Sequence, residues 1–530
     1  MEKFLAVETL VIALLLVVSL VAIAVRRLRI PYTVALVLAG FPITFQQRLD
    51  ISLTPELILS IFVPPLIFEA SFHIDFKSLR ENWLPILGLA VPGVLITTFI
   101  VGLITAFGVR MPLSSALVFG ALIAATDPVA VVALFRAIGA PKRLTMLLES
   151  ESLFNDGTAI VIFQIVMAIA LSAGALGVSE FGSFDALSAI VNFFRVAAGG
   201  LAIGFGLGWV IAQILARIDD YLIETTLTTV LAFGSYLVAE QFHVSGVLAV
   251  VAAGIVTGNI GFKKMSPTTK IVLFNFWEYL AFVANSLVFL LIGLDTNLRE
   301  IFGNLLPIGI ALLAILISRA IVVYGIVALT NLRGTKVPFA YQQVLFWGGL
   351  RGAISLALVL SLPAAFAERE QLRVMTFGVV LFTLLVQGTT MRFLLQRLGL
   401  LQQPNPLELE YEKRHGRLLA AQSSLKRVEE MHREGLISVA TWEQIEPTAK
   451  EQLKDLIEAQ RQLLQAYPEL QSEEHEDAQL EGLRAQRAAL STMLSDGIIS
   501  DSVYEELVAE VDAALTRSNQ AVSELQKKSR

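Results

Sequence analysis

Four short segments of this 530-residue chain set ionisable residues among apolar ones. The first is Thr126-Asp127-Pro128. Its proline removes a backbone donor, and the threonine and aspartate beside it can bond the backbone groups that a break sets free. A plain proline kink with a satisfied aspartate would use the same residues. The second is Glu151-Ser152-Leu153-Phe154-Asn155-Asp156. On a helix, Glu151 lies one turn from Asn155 and Ser152 one turn from Asp156. Two polar ridges result, about 100° apart. Two carboxylates and a hydroxyl near one point suit a hard cation, which takes oxygen ligands. Glu149 and Glu151 could instead be solvated loop charges. Asp156 escapes that reading, because Gly157 to Leu171 is apolar apart from Thr158 and Gln164. The third segment centres on Arg319, between the apolar runs Ile310–Ile317 and Ala320–Ala328. A buried arginine keeps its proton and needs a partner, and Glu151 and Asp156 are the deep acids on offer. Snorkelling to a surface is the alternative. The fourth is Trp347-Gly348-Gly349-Leu350-Arg351-Gly352-Ala353-Ile354-Ser355. Its glycines weaken the helix and allow close backbone approach, although tight packing alone would also use them.

Such residues need elements that hold them away from water. The chain is 55% hydrophobic and 16% charged, against about 25% charged in soluble proteins, and its mean hydropathy is +0.69. Residues 401–530 hold 24 of the 46 acids and 15 of the 40 bases. An apolar body with a small positive excess is therefore followed by an acidic, polar tail. Thirteen apolar stretches of roughly 17–30 residues recur as far as Leu398, long enough to cross about 30 Å of hydrocarbon. The first, Phe4 to Val25, is too long for a signal-peptide core, and its basic cluster follows it, so it is expected to be retained. Loops after spans 1, 5, 9 and 11 carry Arg26/Arg27/Arg29, Arg136/Lys142/Arg143, Lys263/Lys264/Lys270 and Arg333/Lys336. Alternate loops such as Gln46–Ile51 and Ser179–Asp185 are poorer in base or acidic. These loops predict an outside N-terminus and a cytoplasmic tail. The expected fold is an all-α membrane protein. Spans 1–6 and 8–13 would form inverted repeats, with two broken helices, spans 5 and 12, crossing at mid-membrane. The placement of the two breaks carries that expectation. There is no cysteine, so disulfides and thiolate chemistry are excluded.

The tail, 401–530, reads as amphipathic helices with a degenerate repeat. Glu434-Gly435-Leu436-Ile437-Ser438 with Trp442-Glu443 returns 62 residues later as Asp496-Gly497-Ile498-Ile499-Ser500 with Tyr504-Glu505. Each copy spells helix, glycine turn, serine cap, helix. The tail is similar to helical-hairpin modules at the C-termini of bacterial membrane proteins. It is a candidate for binding a regulator, or else a solvated tail without a ligand.

Taken with Phe62-Val63-Pro64-Pro65-Leu66-Ile67-Phe68-Glu69 in span 3 and Ser318-Arg319, the four segments fall in an order that resembles the monovalent cation/proton antiporters. The resemblance is to the branch with bacterial NhaP-type proteins and eukaryotic sodium/hydrogen exchangers, and it covers most of residues 1–400. It implies a thirteen-span homodimer in which a six-span core moves against a dimerisation domain. It also implies that sodium is held by Asp156, Glu151, the Ser152 hydroxyl and the Thr126 carbonyl, with Asp127 helping through water. Arg319 would pair with Glu151. Arg351 would position the broken helix or line the cytoplasmic funnel. Asn155, where an aspartate would mark the branch moving two protons, resembles the electroneutral branch.

The implied chemistry needs no cofactor, no nucleic acid and no catalysis. A buried carboxylate prefers to be neutral and can be neutralised by a proton or by a cation. If Asp156 holds one or the other, alternating access turns competition into exchange across the cell membrane, and the chain has no P-loop for ATP. Potassium in place of sodium is the nearest alternative. A cation channel would need a continuous lined pore. An intramembrane aspartyl protease would need a Gly-x-Gly-Asp signature, which is absent.

Overall fold

The computed structural model describes residues 2–28, 32–46, 54–55, 58–176, 186–218, 220–262, 265, 267–333, 336–400, 406–467 and scattered positions from 479 to 514. Several features expected above lie outside the described residues: Arg29, residues 47–51, the 179–185 loop, Lys263, Lys264, and Asp496-Gly497 of the second repeat. The chain divides into two compact units, Met1–Leu401 and Gln402–Arg530.

The first unit is helical, with no strand among the described residues. A helix lies under each of the thirteen apolar stretches. In chain order these are α1 (Glu2–Leu28), α2 (Tyr32–Gln46), α3 (Val63–Phe72), α4 (Trp83–Ala90) continued by α5 (Pro92–Thr105), α6 (Leu113–Leu122) and α7 (Val129–Ile138), α8 (Lys142–Leu176), α9 (Ala186–Leu215), α10 (Tyr221–Gln241), α11 (Gly246–Val256), α12 (Pro267–Asp295), α13 (Leu305–Thr330), α14 (Phe339–Trp347) and α15 (Ala353–Leu360), and α16 (Arg369–Phe382) with α17 (Thr389–Arg397). Seven of the described helical segments are long and apolar enough to cross a bilayer by length and composition. Large apolar side chains such as Ile12, Leu16, Leu20 and Ile23 on α1 stay exposed at helical spacing. In a bilayer that face meets lipid.

The breaks fall where backbone chemistry demands them. Residues 123–128 separate α6 from α7, and Pro128 directly precedes the first residue of α7, since proline disfavours helix in the residue before it. Residues 348–352, with three glycines, separate α14 from α15. Pro64 and Pro65 occupy the first turn of α3, where a missing N–H leaves no bond unmade. A π-turn, Ile58–Phe62, leads into them. Further π-turns at Ala106–Arg110, Thr257–Gly261 and Thr383–Gly388 interrupt otherwise regular spans.

Two packing groups emerge inside this unit. Helices α4, α5, α6, α8 and α13 pack on one another, and α15 joins them through α6 and α16. Helices α2, α3, α10, α11 and α12 form the other group, with α9 laid along α11.

The second unit contains a helical hairpin, α18 (Pro406–Arg433) and α19 (Val439–Ala466), packed along its length. Gly435 turns the chain at φ 73°, a left-handed conformation that glycine adopts without steric cost. The Ser438 hydroxyl accepts from the Thr441 N–H and starts α19. His432 stacks on Trp442 across the turn, with ring centres 5.2 Å apart.

Candidate functional site

The two breaks meet. The Asp127 N–H donates to the Leu350 carbonyl at 2.8 Å, so the interruption of one span is bonded to that of the other. Four half-helix ends converge there, and each type of end finds its complement. Helix C-termini are partly negative and N-termini partly positive. Arg351, 1% exposed, donates through Nη1 to the carbonyls of Ala124 and Ala125, at 2.7 and 2.9 Å, just past the end of α6. Arg319 donates through Nε and Nη2 to the Leu345 carbonyl, at 3.2 and 2.8 Å, in the last turn of α14. The Asp127 carboxylate accepts from the Val129 N–H at 3.0 Å, and a second bond from the Ala353 N–H reaches it. Those are the first residues of α7 and α15. One carboxylate thus serves two N-termini, and two arginines serve two C-termini.

Gly352 permits this approach. A Cβ there would run into the Asp127 carboxylate, so side chain and backbone touch only because the position has none. Gly349 faces Arg319 in the same way, an added Cβ falling 2.8 Å from its Nε.

The Glu151-to-Asp156 segment lies on α8, alongside the crossing. Both Glu151 carboxylate oxygens are taken by the Arg319 guanidinium. The Ser152 hydroxyl donates to the Thr126 carbonyl. Asn155 donates through Nδ2 to Thr126 Oγ1 at 3.2 Å. Among the described residues, no hydrogen bond or ion pair engages Asp156.

A cavity of about 810 Å³ runs along the junction of the two packing groups. One wall presents Thr126, Asp127, Ser152 and Asp156, and the other Thr33, Glu69, Glu278 and Asn285. It reaches Ile138, Glu149 and Arg392, at or near the ends of α7, α8 and α17. Of the eight residues expected at the site, Asp156, Ser152, Thr126 and Asp127 therefore line one space. Asn155 stands behind them. Glu151, Arg319 and Arg351 do not line it; they hold the scaffold. The carbonyls of Ala124, Ala125 and Leu345 also serve the site. So does the Thr383 hydroxyl, which accepts from the Arg351 N–H at 3.2 Å. Backbone carbonyls leave no signature in a sequence. Glu69, which with Pro64-Pro65 can be read from the sequence either as lining an entry funnel or as plain packing, lies on the facing wall, as does Asn285.

A bundle of apolar helices in which two interrupted helices meet beside a largely apolar cavity carrying a few polar groups defines a membrane transporter of the broken-helix class. The model of the family described as "Sodium/hydrogen exchanger, transmembrane" matches residues 12–397. This chain belongs to that family. It is 41% identical over 403 residues to the Na(+)/H(+) antiporter ApNhaP of Aphanothece halophytica, covering 76% of this chain and 75% of that one. It is 36% identical over 491 residues to the Na(+)/H(+) antiporter NhaG of Bacillus atrophaeus, covering 91% and 92%. In fold it is similar to the solved structure of the sodium proton antiporter MjNhaP1 from Methanocaldococcus jannaschii, with a TM-score of 0.61 and 22% identity over 75% of this chain and 99% of that chain.

Proposed function

We propose that this chain is an electroneutral sodium/proton antiporter, exchanging one sodium ion for one proton at Asp156 by alternating access. The observation that carries the reading is the free state of Asp156. Glu151 and Arg319 cancel as a pair. Asp127 and Arg351 carry opposite charges and are each bonded to backbone. The remaining charge is that of Asp156, which faces the cavity and, among the described residues, has no hydrogen bond or ion pair. A proton or a sodium ion neutralises it equally, so the loaded site has the same total charge in both directions. Thr126, Asp127 and Ser152 offer oxygens beside it, and Glu151 acts by fixing Arg319. The names of the relatives put sodium ahead of potassium as the cargo.

In this reading residues 1–400 are the transporting domain, with thirteen crossings, working as a homodimer in the cell membrane. The N-terminus lies outside. Residues 401–530 are a cytoplasmic tail that contributes no ligand and is available to a regulator. The cavity reaches the end of α7 and the first turns of α8, next to a basic loop, which favours reading it as open to the cytoplasmic side.

Purified protein in sealed vesicles with an internal pH dye tests the assignment. Added sodium should collapse an imposed pH gradient, and Asp156→Asn should abolish the response while the protein still inserts. Robust sodium-dependent proton movement in that variant would falsify the assignment. Collapse by potassium rather than sodium would replace the cargo. Clamping the vesicle potential with potassium and an ionophore should leave the exchange rate unchanged. A clear dependence on potential would overturn the one-for-one cycle.

A further inference from the structure

Hard cations gather several oxygen ligands, and much of the oxygen around Asp156 is already engaged. Both Glu151 oxygens are held by Arg319. The Thr126 carbonyl accepts from Ser152, and the Asp127 carboxylate from two backbone N–H groups. Two further buried hydroxyls on the same cavity, those of Ser355 and Thr33, have no hydrogen-bond partner among the described residues. Ser355 sits in the first turn of α15, two residues beyond the N–H that bonds Asp127. It is 0% exposed, it contributes to the cavity lining, and its Oγ has no hydrogen-bond partner among the described residues. A helical serine ordinarily returns its hydroxyl to a carbonyl one turn back, and a buried hydroxyl left unmatched is costly. The residues around it offer no compensation, whereas a bound cation would. Its helix packs directly against α8, which carries Asp156, and against α6, which ends at the crossing. Thr33 Oγ1 is also buried, unpartnered and on the cavity, but it belongs to the facing wall, where α2 packs on α12.

We propose that the Ser355 hydroxyl is a further ligand for the transported cation, supplied by the second broken helix. The ion at Asp156 is then held from both interrupted spans, α8 and the first break on one side and α15 on the other. A neutral oxygen placed there binds sodium without competing for the proton. It should set cation affinity and cation choice and leave protonation of Asp156 alone.

This rests on Asp156 being the exchange site, so the two claims are tested side by side in full-length protein in vesicles. In Ser355→Ala the half-saturating sodium concentration should rise roughly three- to ten-fold, the loss of one polar contact. The maximal rate should be kept, the lithium-to-sodium preference should change, and Ser355→Thr should restore the parent behaviour. Binding is read independently of transport by sodium-dependent protection against heat in detergent. Ser355→Ala should need several-fold more sodium for the same protection. Ser355→Cys nearly keeps the side-chain shape but offers a poor ligand to a hard cation, so it carries the same expectation if the alanine variant does not reach the membrane. Unchanged half-saturation and unchanged sodium protection in these variants would overturn the assignment of Ser355. If Asp156→Asn is inactive in that same comparison, the Asp156 reading survives and only the Ser355 ligand is lost. If Asp156→Asn still exchanges, the site itself has been misassigned.

Discussion

Two acid–arginine pairs, one in each unit, show how differently the chain uses charge. Glu151 and Arg319 meet on α8 and α13 with side chains 2% and 7% exposed. Glu410 and Arg414 lie one turn apart on α18, at 2.8 Å, with side chains 45% and 32% exposed. Chemically they are the same bond. The first joins residues 168 positions apart and also carries the Leu345 carbonyl at a half-helix end. The second lies on a half-exposed helix face within one turn, although Arg414 also donates through Nη1 to the Ala459 carbonyl of α19 at 2.8 Å. The apolar unit buries a few charges and bonds Glu151, Arg319, Asp127 and Arg351 to one another or to backbone, whereas the tail carries its charges at high density on exposed helix faces.

Breaking one partner of the buried pair should therefore have the largest effect on stability. Glu151→Gln or Arg319→Ala leaves a charge or a half-empty guanidinium with no water to receive it, a loss of about 3–5 kcal/mol. Removing both partners should cost less than the two separate losses together, because the orphaned charge is gone. Thermal unfolding of the four proteins in detergent measures this. Additive losses would mean that the contact does not hold the unit together, and the contrast between the two pairs would collapse.

A middle-sized effect is expected at Gly352, where the apolar unit brings backbone and carboxylate into contact. Gly352→Ala forces the new methyl group against Asp127. The Asp127 carboxylate is tied to the N-termini of both α7 and α15, so it cannot turn aside freely. Overpacking of this kind costs about 1–3 kcal/mol, and exchange should fall further than stability does because the crossing itself must move apart. Full exchange in a normally stable Gly352→Ala protein would show that the crossing tolerates a wider geometry.

The sequence makes the crossing visible in outline. Pro128 and the three glycines at 348–352 mark the breaks, and the helical spacing of Ser152 and Asp156 marks the ridge beside them. The pairing of Glu151 with Arg319 is only half legible, since the residues alone leave Glu151 and Asp156 as candidate partners and the family resemblance is what selects Glu151. The division of labour between the two glutamate roles is not legible. Glu151 sits on the polar segment and could be a ligand or a strut, and only the direction of its carboxylate separates them. Arg351 is ambiguous for a related reason. Its partners are the carbonyls of Ala124 and Ala125, which become acceptors only because α6 stops two residues earlier. The π-turns, such as Thr383–Gly388, are built from residues that read equally well as ordinary helix. Thr383, which accepts from the Arg351 backbone, is hidden within one of them.

The smallest effect should come from the tail pair, and its pH dependence identifies it. The hydrogen bond from Arg414 holds the Glu410 carboxyl below its ordinary value, helped by the nearby charges of Arg414, Lys413 and Arg417. A carboxylate lowered on folding adds stability that is present above its unfolded value and is lost as pH falls through its folded value. Glu410→Gln should therefore loosen the hairpin only where the carboxylate is ionised. Amide hydrogen exchange over residues 406–466 in the full-length protein can read so local a change. At neutral pH the variant should exchange faster than its parent by about two-fold or less, the size expected for an exposed i,i+4 pair. The difference should shrink as both proteins are acidified through and below the carboxylate range. It should shrink again at neutral pH in high salt, because exposed charges are screened. The buried Glu151–Arg319 pair should respond to salt hardly at all. If the Glu410→Gln difference survived both acid and salt, ionisation would not be its source. The tail would then hold its hairpin as the apolar unit holds its crossing, by specific contacts rather than by dispersed charge.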